Sequence, residues 1–283
     1  MDEKLFVSNP YEHLFIYYLQ GRVPQASLEK QAEFIGNWEE EGFSFLFFSA
    51  PADDAVAEIT APDNGPVFID QYEMTCEQWH GDNIDSYTTG RFCVSPPWKI
   101  PFVNRPETKH LLLDPGVVFG TGRHQTTEDC LGYMEDLFDR ETIDSVLDLG
   151  TGTGLLALGA AALGCRKVLA LDFNLLAAKT ALHNIRLNGH DEHIVAVQAR
   201  AEEFIALPAD LVVANIHYDV MKTLIETEAF LQKKWFILSG LLKSEAAKVL
   251  VRLGAMEVTI VETACNDGVW HTILGKSNAP LAG

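Results

Sequence analysis

The run Val146-Leu147-Asp148-Leu149-Gly150-Thr151-Gly152-Thr153-Gly154 breaks an apolar stretch into three glycines at alternate positions. An alanine- and leucine-rich segment follows, and then Val168-Leu169-Ala170-Leu171-Asp172. The pattern reads as strand, glycine loop, helix, strand and acid. Such a loop lets the backbone come close to a ligand and aims the free amides of the next helix at it. Asp172 lies 22 residues after Gly150, at the end of the second expected strand. A carboxylate there can accept hydrogen bonds from both hydroxyls of a ribose. The chemistry implied is the binding of an adenosine-containing cofactor.

Gly152-Thr153-Gly154-Leu155-Leu156-Ala157 also satisfies the dinucleotide pattern G-x-G-x-x-A, so the loop alone leaves NAD open. Asp148, two residues before the first glycine, argues otherwise. Its charge would repel a pyrophosphate but suits the ammonium group of a methionine-like tail. An Asn-Ile corner at Asn215 and the start of this fold near residue 110, behind a separate leader, point the same way.

These residues need a frame. Strands are expected at 145–149, 167–172, 194–199, 210–215, 235–239, 257–263 and 269–275. Helices are expected at about 125–138, 154–164, 175–188, 219–231 and 243–253. Alternating strands and helices imply a mostly parallel, doubly wound α/β sheet covered on both faces. The loop Asn266-Asp267-Gly268 makes the last two strands an antiparallel hairpin at one edge. Open sheets of this kind bind ligands at the carboxyl ends of their strands. Gly150, Asp172 and Asn215 all fall at such ends.

Residues 1–75 read as a small α+β module. A β-rich run spans His13 to Leu19, and helical spacing of Leu28, Ala32, Phe34, Ile35 and Trp38 predicts a helix to Glu41. A strand follows at Phe43 to Phe48, a helix at Asp53 to Thr60 and a strand at Pro66 to Asp70, an order that suits a split β-α-β sandwich. Its aromatic density reads as core. Residues 76–110 are expected to be a connector stiffened by Pro96, Pro97, Pro101 and Pro106, with Trp79 and Trp98 pinning it to one domain or the other. Residues 111–283 form the α/β domain.

With 283 residues, 47% hydrophobic and 22% charged, the chain has the composition of a soluble globular protein of one to two domains. No apolar run has the length of a membrane span, and Met1-Asp2-Glu3-Lys4 does not open a signal peptide, so a cytoplasmic location is expected. Cys76, Cys93, Cys130, Cys165 and Cys265 form no C-x-x-C pair and read as buried free thiols. No metal-ligand spacing and no serine-histidine-acid set is visible. The net charge of −19 disfavours direct contact with nucleic acid and either attracts a basic protein or reflects an acidic proteome or simple solubility. Residues 1–110 alone carry 18 acids and 7 bases.

Two further blocks extend the reading. One runs Leu113-Asp114-Pro115-Gly116-Val117-Val118-Phe119-Gly120-Thr121-Gly122-Arg123-His124-Gln125-Thr126-Thr127; the other is Val213-Ala214-Asn215-Ile216. With the glycine loop they resemble the PrmA family, the methyltransferases of ribosomal large-subunit protein eleven. Val118 replaces the alanine of the family signature D-P-G-x-A-F-G-T-G-x-H-x-T-T, and the A-N-I-L corner appears as Ala214-Asn215-Ile216-His217. Leu238-Ser239-Gly240-Leu241-Leu242 and Gly268-Val269-Trp270 also look like the family's closing blocks.

The resemblance implies a class I S-adenosyl-L-methionine-dependent methyltransferase on a seven-stranded Rossmann-like sheet. It implies methylation of lysine side chains and an N-terminal amine of a ribosomal protein gripped by the small N-terminal domain. Cofactor contacts carry over to Thr127, Gly150, Asp172 and Asn215. Gly152, Asp148, Phe119 and Gly120 complete the expected set, with Asn215 as the catalytic residue that holds the amine. A sister group acts on lysines of electron-transfer flavoprotein beta subunits, and a cofactor-binding module without transfer activity is the non-enzymatic alternative. Thr127 can equally cap its helix, and Asn215 can close a turn. His124 reads as a proton acceptor or a loop anchor, His217 and Tyr218 as acceptor-channel residues or a helix entry, and His271 as a surface histidine.

Overall fold

A computed structural model describes residues 9–23, 28–61, 65–81, 83–101 and 107–279. The expectations for Met1 to Lys4 and for Pro106 lie outside the described residues.

The N-terminal part runs β1 (His13–Gln20), β2 (Phe34–Glu40), β3 (Phe43–Phe48), α1 (Asp53–Thr60) and β4 (Val67–Thr75). These strands form an antiparallel sheet of order β2-β3-β1-β4. The helix expected to Glu41 is therefore a correction: its second half is β2, and Gln31 and Phe34 close tight turns before it. Phe34, Ile35 and Trp38 favour an extended chain, and Gly36 costs about 1 kcal/mol in a helix interior. Pairing with β3 then decides the outcome. Glu41 and Gly42, both with positive φ, form the two-residue turn of that hairpin. Among the described residues of this part no parallel β-α-β crossover forms, so the expected split β-α-β order is replaced by three antiparallel strands, a helix and a fourth strand.

Residues 76–110 carry α2 (Cys76–His80), β5 (Tyr87–Thr89), β6 (Phe92–Ser95) and the start of β7 (Lys109–Leu112). The three strands make a small sheet of order β5-β6-β7. Phe92, Val94 and Leu111 are buried in the same core as the helices described next.

From Gln125 the order is α3 (Gln125–Arg140), β8 (Ser145–Leu149), α4 (Leu155–Ala162), β9 (Lys167–Asp172), α5 (Leu175–Leu187), β10 (Ile194–Gln198) and α6 (Ala201–Phe204). It continues with β11 (Leu211–Asn215), α7 (Tyr218–Ile225), α8 (Glu228–Leu231), β12 (Trp235–Leu242), α9 (Lys243–Leu253), β13 (Val258–Asn266) and β14 (Trp270–Ser277). The single helix expected over 219–231 is broken, because Thr227 caps α8 by accepting the Phe230 amide. The seven-stranded sheet has the order β10-β9-β8-β11-β12-β14-β13, with β14 antiparallel to both neighbours. Alternate residues point to opposite faces of a strand. Val146, Val213 and Ile237 pack on one face with α3 and α4, while Leu147, Val212 and Phe236 pack on the other with α7 and α9. Four of the five cysteines are buried; Cys265, expected inside, is exposed on β13.

One face of the N-terminal sheet is welded to this body. Leu14, Ile16 and Phe47 share a buried cluster with Val117, Val118, Leu176 and Ala177. A Cβ on Gly36 would lie 2.5 Å from Leu176 Cδ1, so β2 sits directly on α5. Trp79 donates its indole N–H to the Val117 carbonyl at 3.0 Å and stacks edge-on to Phe47. A seam this apolar holds two units in one arrangement.

Candidate active site

Strand order reverses between β8 and β11, the place where open α/β sheets open a crevice. Gly150 directly follows β8, and beside it Asn215 ends β11 with Ile216 next in the chain. A Cβ on Gly150 would meet Ile216 Cγ2 at 2.2 Å, so only glycine fits this junction. The crevice is a cavity of about 930 Å³. Its walls include Phe119, Gly120, Thr126, Thr127, Gly150, Gly152, Asp172, Phe173, Asn215 and His217.

Asp172 is stitched to the glycine loop. One carboxylate oxygen accepts the Gly152 amide at 3.0 Å and the other the Asn174 amide at 2.9 Å. Burial raises its pKa, and the donors from Asn174, Gly152 and Phe173 oppose that rise. Each oxygen keeps a second lone pair for a hydroxyl donor. Phe173, next in the chain, is 55% exposed beside the carboxylate and offers a flat apolar surface to a planar base.

Asp148 takes a different position from the one its neighbourhood suggests. It lies beneath the loop, fully buried, and is not part of the cleft wall. One oxygen accepts the Thr151 hydroxyl at 2.5 Å and the Ala157 amide at 3.1 Å, bracing the loop against α4. The other oxygen has no protein partner. Burial pushes its pKa up to about 6, against those two donors.

Asn215 donates its side-chain amide to the hydroxyls of Thr126 at 3.2 Å and Thr127 at 3.5 Å. Its Oδ1 turns towards Gly240, where an added Cβ would lie 2.9 Å away. Gly240 has a φ of +80° and keeps that oxygen uncovered. Below them, Ser239 and Thr272 share a hydrogen bond of 2.6 Å and Thr272 donates to Asp129 at 2.9 Å, locking α3 to the sheet. His124 accepts the Thr126 amide as the N-cap of α3 and sets its ring against Trp270. His217 lines the cleft, whereas Tyr218 lies on α7 with the ammonium groups of Lys222 and Lys248 over its ring.

Three residues that the sequence does not single out for this site come from far away: Trp38 and Glu40 of β2 and His80 of α2 also line the cavity. Trp38 stands edge-on to Phe119 at 6.1 Å, and its indole N–H is held by Glu40 at 3.2 Å. No spacing in the chain links β2 to Asp172. Phe173 carries a local signal, being an aromatic directly after the strand-end acid.

A family model described as ribosomal protein L11 methyltransferase (PrmA) matches residues 52–278. The chain belongs to the ribosomal protein L11 methyltransferase family. The protein of that name from Streptococcus uberis is 30% identical over 86% of this chain and 78% of its own length. That from Exiguobacterium sibiricum is 35% identical over 66% of this chain, which spans 58% of that relative. A crystal structure of ribosomal protein L11 methylase from Lactobacillus delbrueckii subsp. bulgaricus shares the fold with a TM-score of 0.60 and 25% identity, over 69% of this chain and 100% of that one. The match to the family covers the whole cleft apart from Trp38 and Glu40, which precede residue 52.

Proposed function

We propose that this chain transfers methyl groups from S-adenosyl-L-methionine to amino groups of ribosomal protein L11, lysine side chains among them. The observation that carries this reading is the meeting of the glycine loop, Asp172 and Asn215 on one cavity at the strand-order switch. The residues suit the donor. Asp172 would hold the ribose, Phe173 the adenine, and Gly150, Gly152, Phe119 and Gly120 the length of the molecule. Thr127 would meet its carboxylate. Asp148, buried beneath the loop, would act on the donor only indirectly, by bracing Thr151 and Ala157. When bound, the donor supplies a methyl group activated by a sulfonium centre.

The protein's part is positioning and desolvation. A lysine side chain has a pKa of about 10.4, so roughly one in a thousand is neutral near pH 7.4. Apolar walls such as Trp38 and Phe119 disfavour the charged form and release its proton to solvent. Asn215 Oδ1 then accepts an N–H of the neutral amine and aims the lone pair into the cleft. Thr126 and Thr127 hold the amide plane for that task. The cytoplasm, where ribosomal proteins are made, is the place this reading implies; among the described residues no helix is long and apolar enough to cross a membrane.

Radiolabelled donor mixed with purified protein and L11 tests the reaction. Label in L11, mapped to amino groups by mass spectrometry, is expected. Label on another protein of a lysate, or tight binding of NAD with none of S-adenosylhomocysteine, would overturn it.

A further inference from the structure

The seven-stranded sheet is irregular beside Asn215. Between β12 and β14 the pairing runs Leu238 with Ile273 and then Leu241 with His271, so Ser239 and Gly240 together face the single residue Thr272. Two residues against one make a β-bulge, which bends its strand and re-aims nearby side chains. This bulge lies against the end of β11. Ser239 pairs with Asn215 on its other side, and Gly240 is the residue that clears space for Asn215 Oδ1.

Hydrogen bonds pin the bulge. Thr272 gives its hydroxyl proton to Asp129 Oδ2 at 2.9 Å, so Ser239 is the donor in the 2.6 Å bond between the two hydroxyls. Asp129 Oδ2 also accepts the Asn266 side-chain amide at 2.7 Å. Ser239 and Thr272 are fully buried, where a hydroxyl without a partner costs free energy, so these bonds and the two-to-one pairing hold each other in place. Asp129 lies three residues after Thr126 on α3, and Thr126 accepts the Asn215 amide N–H. One helix thus fixes both ends of the Asn215 carboxamide: the nitrogen through Thr126, and the space around the oxygen through Asp129 and the bulge.

We propose that Asp129 and Thr272 are positioning residues for methyl transfer, pinning the bulge at Ser239 and Gly240 that leaves Asn215 Oδ1 free for the acceptor amine. The proposal rests on the role given to Asn215 above. None of Asp129, Ser239 and Thr272 lines the cavity, so their effect falls on the transfer step and not on binding.

Single-turnover transfer to purified L11 tests this in the full chain. Thr272→Val keeps the shape and removes the hydroxyl, whereas Thr272→Ser keeps the hydroxyl. Thr272→Val should slow transfer about tenfold while KM for L11 and S-adenosylhomocysteine affinity stay within about twofold, and Thr272→Ser should restore the rate. In an Asn215→Ala background the valine substitution should cost nothing further. An equal loss in both backgrounds, a full rate in Thr272→Val, or no restoration in Thr272→Ser would overturn the positioning role and leave that of Asn215 standing. A full rate in Asn215→Ala alone would overturn the role of Asn215 and this proposal with it. If Thr272→Val does not fold, Ser239→Ala breaks the same bond from the bulge side and is read by the same rates.

Discussion

The carboxylate of Asp172 holds the backbone amide of Gly152 at 3.0 Å, joining the end of β9 to the glycine loop that ends β8. The acid therefore shapes the loop as well as facing the cavity.

Replacing Asp172 with alanine removes both roles. Hydrogen bonds to a charged group contribute about 1.5–3 kcal/mol, so S-adenosylhomocysteine affinity should fall by about 10- to 100-fold in a calorimetric titration. Unchanged affinity would mean that the ribose is held elsewhere.

Asn215→Ala should leave that affinity within a few-fold and slow single-turnover transfer by about a hundredfold, the usual scale for a misplaced reacting group. Thr126→Ala, which loosens the amide without removing it, should give a smaller loss of the same kind. Unaltered turnover in Asn215→Ala would remove its proposed role.

Asp148 makes stability depend on pH. Its pKa in the fold is raised to about 6 by burial, so the folded state binds the proton more tightly than the unfolded chain does. The carboxyl's contribution is fully present below about pH 4 and is lost as pH rises towards and through 6. Over that range the loss is about 3 kcal/mol, at 1.36 kcal/mol per pKa unit. Asp148→Asn abolishes this titration. Denaturant unfolding from pH 4 to 7.5 should show the variant gaining on the wild type as pH rises. A difference independent of pH would contradict the raised pKa.

The seam between the N-terminal sheet and α5 is tight enough to test with one side chain. Gly36→Val would drive its branches into Leu176, and overpacking of this kind costs about 1–3 kcal/mol. Asn174 crosses the same seam, donating its side-chain amide to the Glu39 carbonyl at 3.2 Å while its backbone amide supports Asp172. The Gly36→Val variant should therefore lose both stability and some donor affinity, measured by denaturant unfolding and by titration. Wild-type values for both would show the seam to be loose.

How far the chain could be read depended on how local each signal was. Val146 to Gly154 and Val168 to Asp172 carry strand, loop and acid within a few residues, so the sheet and its binding edge were legible. Phe34 to Glu40 were not, because Leu28, Ala32 and Ile35 mimic a helical stripe and the deciding partner, β3, acts through pairing. Asp148 shows a different gap: its residue type and its place before the glycines suggest a ligand contact, but only the packing reveals that it lies under the loop. Trp38 and Glu40 reach the cavity through tertiary docking of a sheet more than 100 residues from Asp172 in sequence, and no periodicity encodes that approach.

The most direct measurement is a crystal structure of the protein with S-adenosylhomocysteine and an L11 fragment bound. The account predicts the sugar hydroxyls on Asp172, the adenine against Phe173, and the acceptor amine at Asn215 Oδ1. A sugar bound away from Asp172, or an amine that never reaches Asn215, would contradict it.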